Sequence, residues 1–269
     1  MTKLSNLKLY YIIAFAITWV CWITALVLLK INNLELYSQE GIVKVFTVGF
    51  KSPLHIFLIS LFGFGTYGPA IAAYVVKRLR PGSEKINFAF DLSKPKIILF
   101  IIVFPLLMSL IPNLLAGNGL QLTFDPIWFV PLLVYQFFTS GFEEFGWRGY
   151  ALPELLKKQQ PGDAGWNLGL VWAAWHFPLV IYLYMSANPA LVMLSLLGFT
   201  MNIAGVSIIY AWIYTHTKSI TVAMLFHALQ NTFSFFLMAA ISSNPTLGLL
   251  PAAVIWLSVV ILMKKFNFK

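Results

Sequence analysis

Eight apolar stretches decide what this chain can fold into, because about 20 apolar residues are what a helix needs to cross a bilayer core of about 30 Å. They run over residues 9–29, 53–76, 97–116, 127–145, 166–185, 190–214, 219–240 and 246–263. Inside hydrocarbon every backbone N–H and C=O needs a partner, which leaves helices or closed barrels. Barrel strands would alternate polar and apolar residues, and these runs do not. The expected fold is therefore all-α: a polytopic membrane protein, a bundle of about eight transmembrane helices forming a single integral membrane domain over residues 1–269. Composition agrees, since only 10% of the residues are charged, against about a quarter in soluble domains.

Lys and Arg accumulate on the cytoplasmic side of membrane proteins. With the N-terminus inside, fifteen of the 18 basic residues fall in inner segments and only Lys30, Lys44 and Lys51 in outer ones, so both termini are expected in the cytoplasm. The first run is too long for a signal-peptide core and reads as an uncleaved span. The formal charge of +9 flanks apolar runs, where lipid headgroups and topology account for it; no nucleic-acid partner is expected. With Cys21 as the one cysteine, no internal disulfide can form. Gly63, Gly65, Gly68 and Pro69 cluster in the second run, where small residues allow close helix packing and Pro69 a kink. Residues 42, 45 and 46 of the first external loop are spaced for a short interfacial helix.

Charges inside hydrocarbon cost about 2.5–3.5 kcal/mol each on insertion scales, so those in the fourth run demand a reason. That run ends in Glu143-Glu144-x-x-x-Arg148; the fifth carries Trp172 and His176, and the seventh His227 and Asn231. Counting at 1.5 Å per residue puts Glu143 roughly 6 Å above the inner edge of the core. On the same count His176, His227 and Asn231 lie roughly 15, 12 and 18 Å from the inner starts of their helices. All four can meet in the cytoplasmic half. His227 and Asn231, i and i+4, share one helix face, as do Glu144 and Arg148, which leaves Glu143 about 100° round its helix and free to point elsewhere. Gly169, Ala173 and His176 share a face that a neighbouring helix can approach closely.

Taken singly, each residue has a plainer account. A membrane histidine is an interhelical donor, Asn231 is helix glue, Arg148 snorkels to the headgroups, and the glutamates form an interfacial acidic patch. Together they supply a base, its orienter and polar donors. His55, near the outer face, and His216, near the inner surface, fit solvated or structural roles.

A carboxylate in a poorly solvated site can take a proton from water that a neutral histidine helps to hold. Two donors on a facing helix can then stabilise the oxyanion formed when that water adds to a peptide carbonyl. The same residues also suit zinc, since two His and one Glu with an open position form a hydrolytic metal set. Neither an HExxH zinc-protease motif nor a GxSxG serine elbow occurs.

In order and spacing, Glu143-Glu144-x-x-x-Arg148, Trp172-x-x-x-His176 and His227-x-x-x-Asn231 resemble the three-motif signature of the type II CAAX prenyl endopeptidase family, also called the CAAX-processing and bacteriocin-processing (Abi) family. The likeness covers roughly residues 135–240, with Trp172 where phenylalanine is more usual. The resemblance implies an eight-helix intramembrane protease that removes the last residues of prenylated CAAX proteins at the cytosolic face, so membrane lipid and a prenylated or other membrane-associated protein are the expected partners. The host membrane would be the cell membrane in a prokaryote and the endoplasmic reticulum in a eukaryote. By the same resemblance Glu143 and His176 activate water, and His227 and Asn231 form an oxyanion hole. Glu144 and Arg148 support the site, with Arg148 a candidate to recognise a terminal carboxylate. No cofactor is favoured; a metal-dependent version would place zinc on Glu143, His176 and His227. Phe145, Trp147, Phe177 and Phe226 are candidates to line an isoprenoid cavity. The competing classes are a non-proteolytic bacteriocin-immunity or scaffold protein of the same fold, and a small cation or proton transporter using Glu143 and the histidines as a relay.

Overall fold

The structure is a computed structural model that describes residues 5–37, 41–80, 86–90, 94–115, 122–237 and 249–265. The expected run ends at Ala116, Ala240 and Thr246, and the basic residues Lys3, Lys85 and Lys269, lie outside these residues. The described residues form helices and no strand, so the all-α polytopic reading holds. Four helices are continuous, long and apolar enough to cross a membrane: α1 (Asn6–Ile31), α5 (Pro95–Leu115), α11 (Pro189–Thr217) and α12 (Ile220–Leu237). Between α1 and the second run lies the short α2 (Gly41–Thr47), in the expected loop.

Among the described residues four helices pass by length and composition as candidate spans, and up to six if each of two bent pairs is one span. The second run divides into α3 (Pro53–Thr66) and α4 (Gly68–Leu79), bent by 50°, and the fifth into α9 (Pro161–Trp175) and α10 (Phe177–Tyr184), bent by 51°. Pro69 and Pro178 cause the bends: each lacks an N–H, so the carbonyl four residues earlier loses its helical partner. In an apolar interior neighbouring side chains must fill such gaps. Here Thr18 of α1 does so for Pro69, its Oγ1 donating to the Gly65 carbonyl at 2.6 Å. Helix α1 braces both bends further, with Trp22 Nε1 donating to the Phe62 carbonyl at 2.9 Å and Trp19 Nε1 to the Trp175 carbonyl at 3.0 Å.

The fourth run is likewise broken. It holds α6 (Phe129–Phe138), a 3₁₀ turn over Ser140–Phe142 and α7 (Glu143–Gly146). The chain then stays helical through a π turn over Trp147–Ala151 into α8 (Leu152–Leu156). The charged stretch is therefore not the end of a helix, and the helical conformation runs on to Leu156. The eighth run is α13 (Leu249–Lys265).

Glycines set the closest approaches. A Cβ on Gly169 would come within 2.6 Å of Ala204 Cα and one on Gly165 within 2.8 Å of Ile208 Cα, which packs α9 against α11 as the small-residue face predicts. Gly65 and Gly68 press on Trp22 and Thr18 of α1, whereas Gly63 has open space beside it. Tightest against backbone is Gly146, where a Cβ would meet the Pro69 carbonyl carbon at 2.4 Å. Because backbone cannot swing aside as a side chain can, Gly146→Ala should destabilise the protein by about 1–3 kcal/mol. A lower melting temperature for Gly146→Ala, beside an unchanged one for Gly198→Ala, whose Cβ would meet nothing within 4 Å, is the expected thermal-shift result.

Candidate active site

The 3₁₀ turn at Ser140–Phe142 ends α6 and places Glu143 and Glu144 in the first turn of α7. The π turn that follows widens the helix where Arg148 must reach inward, and such turns recur at functional sites.

Glu144 and Arg148 pair as their spacing predicts. Arg148 Nη1 donates to Glu144 Oε1 at 3.0 Å and Oε2 at 2.9 Å, both side chains 0% exposed. Arg148 Nη2 donates to Ser207 Oγ at 3.1 Å, and the guanidinium lies 4.4 Å from the Trp172 ring centre and 4.0 Å from that of Tyr210. The alternative in which Arg148 snorkels to headgroups is excluded, and this burial leaves no open face for a terminal carboxylate.

Glu144 has a second partner that the sequence does not reveal, His227 Nδ1 at 2.9 Å from Oε1. An ionised carboxylate only accepts, so Nδ1 carries the hydrogen, and Nε2 becomes a donor only when the ring is charged. Asn231 Nδ2 donates to Gln136 Oε1 at 3.1 Å, an oxygen that also accepts from Ser140 Oγ at 2.9 Å. Gln136 is fully buried on α6 and escapes the motif reading; an amide in an apolar run, seven residues before Glu143, was the available signal.

Glu143 is 3% exposed and lies in different contacts from Glu144. Its Oε2 accepts from Trp172 Nε1 at 3.0 Å. Trp172 also receives His176: the imidazole Nδ1 donates to the Trp172 carbonyl at 2.9 Å. That bond fixes the hydrogen on Nδ1 and leaves Nε2 as the acceptor of the neutral ring. His176 stands at the bend between α9 and α10, set there by Pro178 two residues on. Glu143 and His176 line one cavity of about 60 Å³, together with Tyr135, Thr139, Ser140 and Gly63. This is room for water, whose share of liquid volume is about 30 Å³, but not for a folded peptide.

The site thus joins five of the six predicted residues, with Trp172, in two clusters: Glu143–Trp172–His176 at the cavity, and Arg148–Glu144–His227 behind it; the sixth, Asn231, is tied to α6. His55 and His216 stay outside. His55 is buried between the Glu35 carbonyl and the Lys51 N–H, and exposed His216 bonds the Trp212 carbonyl. Among the described residues no three His, Cys, Asp or Glu side chains are gathered as a metal-holding group, and His227 Nδ1 is engaged by Glu144. Nor do the four aromatics line one cavity. Trp147 and Phe226 are fully buried in the core, while Phe145 and Phe177 belong to separate surface grooves.

Fold and site together define an all-α integral membrane protein with a carboxylate–imidazole centre buried in its bundle. A family model described as Type II CAAX prenyl endopeptidase Rce1-like matches residues 125–233, the stretch that holds every residue of both clusters. The CAAX prenyl protease 2 of Methanococcus maripaludis is 30% identical over 243 residues, covering 84% of this chain and 83% of that protein. The chain belongs to the type II CAAX prenyl endopeptidase family, and so to the CAAX-type intramembrane proteases.

Proposed function

We propose that this protein is a glutamate-dependent intramembrane endopeptidase that cleaves near the C-terminus of prenylated CAAX-type or related membrane-associated substrates. The observation that carries the reading is the shared cavity of Glu143 and His176, in which each has one polar atom already engaged at Trp172. Glu143 Oε1 and His176 Nε2 are then two acceptors for the two hydrogens of one water, which leaves the water's lone pairs turned to an incoming carbonyl. The water oxygen adds to the scissile carbon as a proton passes to Glu143. The C–N bond then breaks, and Glu143 returns the proton to the departing nitrogen. The second N–H of Asn231 is a donor for the oxyanion, and His227 Nε2 joins it when that ring carries both hydrogens. Both lie on α12, four residues apart. The excess of basic residues in alternate loops supports a cytoplasmic site with both termini on that side.

Purified protein should cleave a fluorogenic farnesylated CAAX peptide, and the rate should be unchanged after prolonged treatment with EDTA or 1,10-phenanthroline. Chelator-sensitive cleavage restored by zinc would replace the glutamate mechanism with a metal-dependent one. No cleavage of this or related lipidated peptides would favour the non-proteolytic class.

A further inference from the structure

We propose that Trp172 is a positioning residue for the reaction, its indole N–H holding the Glu143 carboxylate in register with His176; the proposal rests on the catalytic reading above. Trp172 sits on α9 and touches members of the site on three elements. Its side chain donates to Glu143 of α7, its carbonyl accepts from His176 at the end of α9, its ring face lies under Arg148, and its ring meets His227 of α12 edge-on at 5.5 Å. It is 2% exposed.

Burial alone does not produce the bond to Glu143. The indole N–H groups of Trp147 and Trp175 are also buried, yet neither has a hydrogen-bond partner among the described residues. The bond engages Oε2 and leaves Oε1, which takes no hydrogen bond from a described residue, on the side chain that lines the cavity. An indole is also neutral: it can steady a carboxylate without the full charge by which a lysine or arginine would hold the proton off it. Phenylalanine at this position would keep an aromatic ring beside Arg148 and His227 and the backbone bond to His176, but could not make this one. The contribution of Trp172 is therefore separable from packing.

The test compares wild type, Glu143→Gln and Trp172→Phe on the farnesylated peptide across pH, with thermal melting of each. Trp172→Phe should lower kcat by about tenfold, the scale of a hydrogen bond to a charged group, with KM unchanged. The loss should deepen toward low pH, because a bond donated to a carboxylate favours its charged form. A kcat equal to wild type, or a loss of the same size at every pH accompanied by a lower melting temperature, overturns the positioning role and leaves only packing. Full activity of Glu143→Gln would instead remove the catalytic reading, and the proposal with it. Should the Phe variant not fold, Trp172→benzothienylalanine, which keeps the two-ring shape and replaces N–H by sulfur, carries the same comparison.

Discussion

Glu143→Gln should cleave the farnesylated peptide at about a thousandth of the wild-type rate, within the 10²–10⁴-fold range of a lost general base, while melting at the wild-type temperature. Glutamine has the length of glutamate, and its side-chain oxygen can still accept the Trp172 N–H. It cannot take a proton from water. The fold has no reason to suffer, because the change removes a charge from an apolar interior instead of stranding one. Progress curves on detergent-purified or reconstituted protein, with melting curves in parallel, decide the matter. Cleavage within a few-fold of wild type would end the role of Glu143 as base.

Arg148→Ala should fail in the opposite way, losing stability as well as activity. Arg148 is the cation of a fully buried pair and fills the space between the Trp172 and Tyr210 rings. Removing one partner of such a pair costs about 3–5 kcal/mol because the other charge stays buried without compensation. The melting temperature should fall by about 10 °C. Arg148→Lys should recover only part, since an ammonium cannot bond both Glu144 oxygens and Ser207 from one planar group. The double change Glu144→Gln with Arg148→Met should regain much of the stability, because a neutral pair strands no charge, yet remain inactive because His227 has lost its carboxylate. A wild-type melting curve for Arg148→Ala would show that the pair is not a structural element.

These opposite outcomes follow from two adjacent glutamates that the sequence can separate only halfway. Helical spacing pairs Glu144 with Arg148 and frees Glu143, because it needs one helix alone. It gives no register between helices, so the bonds from Trp172 to Glu143 and from His227 to Glu144 are invisible until α7, α9 and α12 are packed. The same limit hides Gln136 behind Asn231. The helix that continues beyond Arg148 misleads for another reason: charges read as the end of a span, but Glu144 and Arg148 cancel each other inside the bundle. The break at His176 is likewise missed: the fifth run reads as one continuous helix, and only the bend between α9 and α10 shows that this histidine stands two residues before a helix-breaking Pro178.

The helix without a site residue carries its own consequence. Three side chains of α1 cap carbonyls at both proline bends, although one bend lies near the start of the chain and the other more than a hundred residues later. As the chain is synthesised, α1 emerges before either of the bends it caps. The α3–α4 bend can dock on it as soon as it emerges, whereas Trp19 must wait for α9 and α10. The same helix therefore serves as a splint for two breaks made at different times in synthesis, and the segment that carries His176 is the later of the two to reach it.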